Sequence, residues 1–201
     1  MNVYAETNFV LEMALQQEQY LYCENIAELC KDYKIRLIIP AYSFAEPYET
    51  LIRRHKNRKK LKNSLDTELI QLARTDSYTD KIFEIKNLLN LLILSTEDEM
   101  RRLENVRRDI IKTAEIIPLN STILNSSTAY QKMHDLSPQD AIVYASVLSH
   151  LKQSKPETAC FLNKNSKDFD DPDISEMLEQ YKCKFLSSFD HGYQFIINKI
   201  K

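Results

Sequence analysis

Asn2-Val3-Tyr4-Ala5-Glu6-Thr7-Asn8 opens the chain with a short apolar run, closes it on a carboxylate, and passes directly into helical material. Val10, Leu11, Met13 and Ala14, then Ile26, Ala27, Leu29 and Cys30, recur at helical spacing, so helix is expected over about 8–31. Ile35 to Ile39 is a β-branched run ended by Pro40 and reads as the second strand. A strand that stops at an acid and hands over to a helix is the first half of a β-α-β unit. The rest of the chain repeats that plan.

A helix is expected from about Ala41, bent at Pro47, and running on through Arg53-Arg54-His55-Lys56-Asn57-Arg58-Lys59-Lys60-Leu61-Lys62. Residues 65–114 lack Gly and Pro and repeat apolar positions at Ile82, Ile85, Leu88, Leu89 and Leu92. Breaks are expected near Thr75-Asp76-Ser77 and Ser95-Thr96-Glu97, where Ser95 with Asp98 and Thr96 with Glu99 fit a helix-start capping pattern. Ile116 to Leu119 reads as a strand and 121–134 as a helix. Ser137-Pro138-Gln139-Asp140 starts the next helix, with Ser137 as cap and Pro138 at its first position. Thr158 to Leu162 is a strand, 173–181 an acidic helix, Cys183 to Leu186 a last strand, and Gly192 to Ile200 a closing helix.

Strands separated by helices predict a three-layer α/β/α fold with a parallel central sheet and right-handed crossovers. The expected organisation is a single domain over 1–201, with a helical insertion at 55–115.

Bulk properties remove several function classes. The 201 residues carry a net charge of −2, so no global field draws the chain to nucleic acid or membrane, and any such contact must be local. Gly192 is the single glycine, which excludes Gly-rich phosphate loops. No segment has the pattern of an export signal or a membrane span, so the expected compartment is the cytoplasm and no membrane contact is expected. Cys23, Cys30, Cys160 and Cys183 lack metal spacing and read as reduced core thiols, and the four histidines make no metal pair or triad with them.

Four acids stand where strands stop and helices start: Glu6, Glu46, Asp140 and Asp168. In open parallel sheets, ligands bind at the carboxyl ends of the strands. Acids gathered there repel one another, and hard divalent cations with oxygen-only ligand sets relieve that repulsion. Each acid also has a structural reading. Ser137-x-x-Asp140 and Ser43-x-x-Glu46 are capping patterns, Glu6 can bond the first helix's N-terminus, and Asp168 has acidic neighbours in Asp170, Asp171 and Asp173.

The residues around the acids resemble the PIN domain family of metal-dependent ribonucleases. The matching pieces are Val3-Tyr4-Ala5-Glu6-Thr7-Asn8, Ile39-Pro40-Ala41 leading to Glu46, Leu136-Ser137-Pro138-Gln139-Asp140-Ala141-Ile142-Val143, and Phe161-Leu162-Asn163-Lys164-Asn165-Ser166-Lys167-Asp168-Phe169. They run in family order over roughly 1–54 and 116–190, and leave the helical middle unexplained. The resemblance implies an endoribonuclease using Mg²⁺ or Mn²⁺, of the kind that is often the toxin of a toxin–antitoxin pair, with RNA as substrate and an antitoxin protein as partner. By that resemblance Glu6, Glu46, Asp140 and Asp168 are catalytic. Glu6, Glu46 and Asp140 hold the principal metal, Asn165 or Asp168 completes the set, and Thr7, Asn8 and Asn163 support it. The chain departs from the family pattern at Glu6, where Asp is usual, at Asn163, where Thr or Ser is usual, and at Asn165, where some members carry Asp. A catalytically weakened module that binds RNA or protein is therefore the alternative reading, and a phosphohydrolase of small molecules a third.

Seven Lys and Arg residues lie between Arg53 and Lys62. Arg53, Arg54, Lys56, Arg58, Lys59 and Lys60 are the RNA-binding candidates, giving salt-sensitive phosphate contacts of low sequence specificity. The leucine-rich stretch 88–94 reads as core or as the seam of a homodimer.

Overall fold

The computed structural model describes residues 1–165, 169 and 171–200. Five strands, β1 (Asn2–Ala5), β2 (Arg36–Pro40), β3 (Glu115–Ile117), β4 (Ala159–Leu162) and β5 (Cys183–Leu186), form one sheet. The spatial order is β3-β2-β1-β4-β5. Every pairing is parallel, with Val3 opposite both Leu37 and Cys160. Eight α-helices connect and cover the strands among the described residues: α1 (Thr7–Leu15), α2 (Tyr20–Lys31), α3 (Tyr42–Leu72), α4 (Thr79–Thr113), α5 (Ser121–Met133), α6 (Pro138–Ser154), α7 (Pro172–Glu179) and α8 (Phe189–Ile200). The expected α/β/α architecture with a parallel sheet is the one observed.

The two-residue period of a strand divides the core between the two faces. Val3, Ala5, Leu37, Ile39, Cys160 and Leu162 face a core built with α1, α2, α3, α4 and α8. Tyr4, Ile38, Ala159 and Phe161 face the other, built with α5, α6 and α7. Burial on both faces explains why the strands read as continuous apolar runs. All four cysteines are buried and unpaired, as their spacing suggested. Gly192 lies inside α8, where an added Cβ would come within 2.6 Å of the Leu162 side chain, so its lack of a side chain lets α8 lie close against the end of β4.

Three local expectations are corrected. The 8–31 segment is two helices, because Gln16 takes a left-handed conformation (φ 51°) and ends α1. No break occurs at 95–97. α4 runs through it, with the Ser95 and Thr96 hydroxyls donating back to the Leu92 carbonyl and Glu99 accepting a bidentate pair of bonds from Arg58. Ser43 does not cap a helix either, since α3 starts at Tyr42 with Ala41 as its cap residue and passes through Pro47. The region expected as an insertion holds the distal part of α3, a 3₁₀ turn (Asp76–Tyr78) and α4. No helix among the described residues is long and apolar enough to cross a membrane.

Candidate active site

The chain passes from β1 through α1 and α2 to β2 on one side, and returns through β4 on the other. The point where the order reverses lies between β1 and β4, and an open parallel sheet forms its ligand crevice outside the strand ends there. Glu6 directly follows β1, and Asn163-Lys164-Asn165 directly follows β4. A cleft of about 640 Å³ opens at this edge, and its walls include Glu6, Glu46, Arg53, Asp140, Lys164 and Asn165.

Glu6 caps α1. Its carboxylate accepts from the Asn8 backbone N–H at 2.7 Å and, at 3.4 Å, from that of Lys164. Burial pushes its pKa up to about 8, against the pull of those N–H groups, and the Glu46 charge adds to the rise. Glu46 lies in the first turns of α3 and accepts a 2.5 Å bond from the Thr7 hydroxyl. Partial burial raises its pKa, Thr7 and Arg53 oppose that, and the charges of Asp140 and Glu49 reinforce it. Neither Glu6 nor Glu46 has an ion-pair partner among the described residues.

Asp140 sits in the first turn of α6. Ser137 accepts from the Asp140 N–H at 3.1 Å and donates its hydroxyl to the carboxylate at 2.7 Å, so the predicted cap is present. The Asn165 amide donates to the same carboxylate oxygen at 3.2 Å. Asn163 is buried, and its side-chain oxygen accepts from the Asn165 N–H at 2.8 Å, which fixes the turn that presents Asn165. Thr7 and Asn8 therefore each touch an acid of the set, and Asn163 touches Asn165, which bonds Asp140. Asp168 lies outside the described residues.

The structural and chemical readings of these acids coexist. Glu6 caps α1, Asp140 is bonded by the α6 cap Ser137, and both are cleft walls, because the helix starts themselves stand at the strand edge. Sequence spacing missed the pair beneath them. Lys164 bonds Glu12 at 2.6 Å, and Glu12 is almost wholly buried while also accepting from the Gln19 N–H. Glu12 falls at an inward helical position, and a charged residue there is the signal that would have found the pair.

The donor set is oxygen-only, as hard cations such as Mg²⁺ and Mn²⁺ prefer, and burial raises the pKa of Glu6 and Glu46, with the Glu46 charge adding to the first and the Asp140 charge to the second. Among the described residues no three Asp, Glu, His or Cys side chains stand together as a ready-made metal cage. Each carboxylate is held instead by its own local hydrogen bond. The residues fit the group in chemistry and location, and ligation needs side-chain rotation within the cleft.

The basic run divides by helix face. Arg53 reaches the cleft wall. Arg58 binds Glu99 through two 2.9 Å bonds and Thr96 through a third, and Arg54 stands 3.8 Å from Glu99, so these two brace α3 against α4. Lys56, Lys59 and Lys60 are exposed.

Comparison with known proteins follows the same lines. No curated protein sequence matches this chain. Among solved structures, a crystal structure of VapBC2 from Rickettsia felis bound to a DNA fragment from their promoter is similar at 12% identity, covering 85% of this chain and 92% of that one, with a TM-score of 0.44. The PIN domain family is matched over residues 3–169, from β1 through the loop after β4 and across the α3–α4 region. This chain belongs to the PIN domain family.

Proposed function

We propose that the protein is a Mg²⁺- or Mn²⁺-dependent endoribonuclease that hydrolyses RNA phosphodiester bonds at the cleft above β1 and β4. The observation that supports this most is the convergence of Glu6, Glu46 and Asp140 on one cleft in which the first two have no ion-pair partner among the described residues. Glu6, Glu46 and Asp140 would hold the metal, with Asn165 as a neutral oxygen donor. A bound divalent ion supplies Lewis acidity toward a phosphodiester oxygen and lowers the pKa of water. Thr7 orients Glu46 through its hydroxyl, and Ser137 orients Asp140. Arg53 on the cleft wall meets the scissile phosphate, and Lys56, Lys59 and Lys60 carry the RNA backbone away along α3. Arg54 and Arg58 keep that helix in place through Glu99.

The reading extends to a single domain over 1–201 that acts in the cytoplasm. An antitoxin protein as partner follows from the likeness of the four motifs to toxin-type PIN domains. The test is cleavage of single-stranded RNA with Mn²⁺ by the native chain and by Asp140→Asn. We expect cleavage by the first and at least a hundredfold loss in the second with unchanged circular dichroism; equal cleavage by both contradicts the proposal. One observation favours a non-catalytic RNA-binding module instead: Glu6 is buried, serves as a cap, and has a pKa raised to about 8. Under that reading RNA binds, and Mn²⁺ neither binds nor matters.

A further inference from the structure

The cleft does not end at the acids. It continues into a recess of about 540 Å³ at the α1–α2 turn, lined by Gln16, Gln17, Glu18, Tyr20 and Lys164, and the two cavities share Gln17 and Lys164 in their walls. Lys164 stands at this junction. Its backbone N–H donates to Glu6 at 3.4 Å, while its ammonium bonds Glu12 at 2.6 Å. The Glu12 side chain is 2% exposed and that of Lys164 34%, so a buried anchor fixes a side chain that is itself open to the cavities. An ammonium has three N–H donors, and Glu12 is the one acceptor that Lys164 meets among the described residues. A buried ion pair adds little stability over an apolar pair of the same size, so the fold alone does not call for a lysine here. Arg53 and Lys164 are the two cations on the cleft wall among the described residues.

We propose that this junction is a nucleotide subsite: Lys164 takes the phosphate next to the scissile one, and the recess takes the base attached to it. The proposal deepens, and rests on, the reading of the cleft as a site of RNA cleavage. On one side of the cut α3 supplies Arg53 and the exposed lysines beyond it, and on the other the loop after β4 supplies Lys164. Gln16 and Gln17 carry amides that both donate and accept, as base edges require. Tyr20, half-buried at the start of α2, carries a ring of the kind on which bases stack. Glu12 joins the two halves of the subsite. Besides holding the ammonium it accepts at 2.9 Å from the backbone N–H of Gln19, the residue before Tyr20. One buried carboxylate therefore fixes both the cation and the turn that bears the ring, and so sets the spacing of phosphate and base contacts.

The test is binding of a short single-stranded RNA to the full chain in EDTA, followed against salt concentration. Lys164→Gln alone would strand the buried Glu12 carboxylate, so it is joined to Glu12→Gln; the two exchanges remove one charge of each sign and leave the net charge at −2. Each phosphate contact to a single strand contributes about 0.7 to the slope of log affinity against log salt. The double variant should bind about tenfold more weakly than the native chain, with a slope shallower by about 0.7. Glu12→Gln alone keeps the ammonium and should keep the native slope. Tyr20→Leu should lose about fivefold or more in affinity at the native slope, as the loss of base stacking does. A native slope in the double variant overturns the proposal. So do a slope in Glu12→Gln as shallow as the double variant's, an affinity in Tyr20→Leu within about twofold of native, and a native chain that binds no RNA. If the double variant loses helix by circular dichroism, Glu12→Met with Lys164→Met is read in its place with the same outcomes. Because binding is read without metal, a chain that binds as expected yet leaves RNA uncut with Mn²⁺ contradicts the nuclease reading alone. A chain that cuts RNA but shows a native slope in the double variant contradicts the subsite alone.

Discussion

The two edges of the sheet carry carboxylates in opposite electrostatic circumstances. At the edge where the strands begin, Glu115 meets Arg36 at 2.6 Å and His150 at 3.1 Å. Burial pushes Glu115 upward, but the His150 bond and the Arg36 charge outweigh it and hold its pKa below the usual carboxylate value. At the edge where the strands end, Glu6 and Glu46 are raised by burial and by neighbouring acids. The chain thus neutralises Glu115 at one edge and pairs Glu12 with Lys164 at the other, while Glu6 and Glu46 have no ion-pair partner among the described residues. Acids supplied with cations serve the fold. Glu6 and Glu46, without such cations, are where the proposed metal ion would bind.

The largest difference between the edges should appear in activity. Asp140→Asn is expected to remove at least two orders of magnitude of Mn²⁺-dependent RNA cleavage, whereas Glu115→Gln should keep the rate within about twofold, measured on the same single-stranded substrate. Equal losses at both edges would break the comparison.

Thermal unfolding gives the next contrast. Mn²⁺ at a hundred times its Kd should stabilise the native chain by about 2.7 kcal/mol. Glu6→Gln should lose that gain while being at least as stable as the native protein without metal above pH 8, since it removes a buried group that resists ionisation. A retained Mn²⁺ gain in Glu6→Gln would remove Glu6 from the ligand set.

The pH dependence should have opposite signs. Glu6 has a folded pKa of about 8 against an ordinary 4.5, so between these values the unfolded chain has lost a proton that the folded chain keeps. Its contribution therefore falls as pH rises through that window, and saturating Mn²⁺ should flatten the fall. Glu115 is lowered, so its contribution is present above about 4.5 and is lost as pH falls through its folded value. Denaturant midpoints for the native chain, Glu6→Gln and Glu115→Gln separate the two slopes. The smallest effect belongs to Arg36→Ala, expected to cost under about 1 kcal/mol because the pair is solvent-exposed, with cleavage and Mn²⁺ affinity unchanged.

Much of this edge was legible in the sequence because strand ends and helix caps leave local marks. Ser137-Pro138-Gln139-Asp140 announced both a helix start and a carboxylate at it, and Ala5-Glu6-Thr7 did the same for α1. The contacts across the chain left no such marks. Arg58 looked like one more cation in a basic run until Glu99, forty-one residues away, claimed it. The same pairing explains why the capping pattern at Thr96 and Glu99 misled: both side chains are spent on Arg58, and α4 has no end there. Lys164 and Glu12 are likewise joined across 152 residues. Periodicity reports which face of a helix is buried, and it is silent on which distant charge will meet it.

Calorimetric titration of Mn²⁺ into the native chain and into Asp140→Asn, at a pH above 8 where Glu6 is ionised, tests most directly whether the edge with Glu6 and Glu46 is a cation site. The account predicts stoichiometric binding in the micromolar-to-millimolar range by the native chain, tightening as pH rises through 8, and a loss of at least tenfold in Asp140→Asn. Absence of binding by the native chain, or equal binding by both, would contradict it.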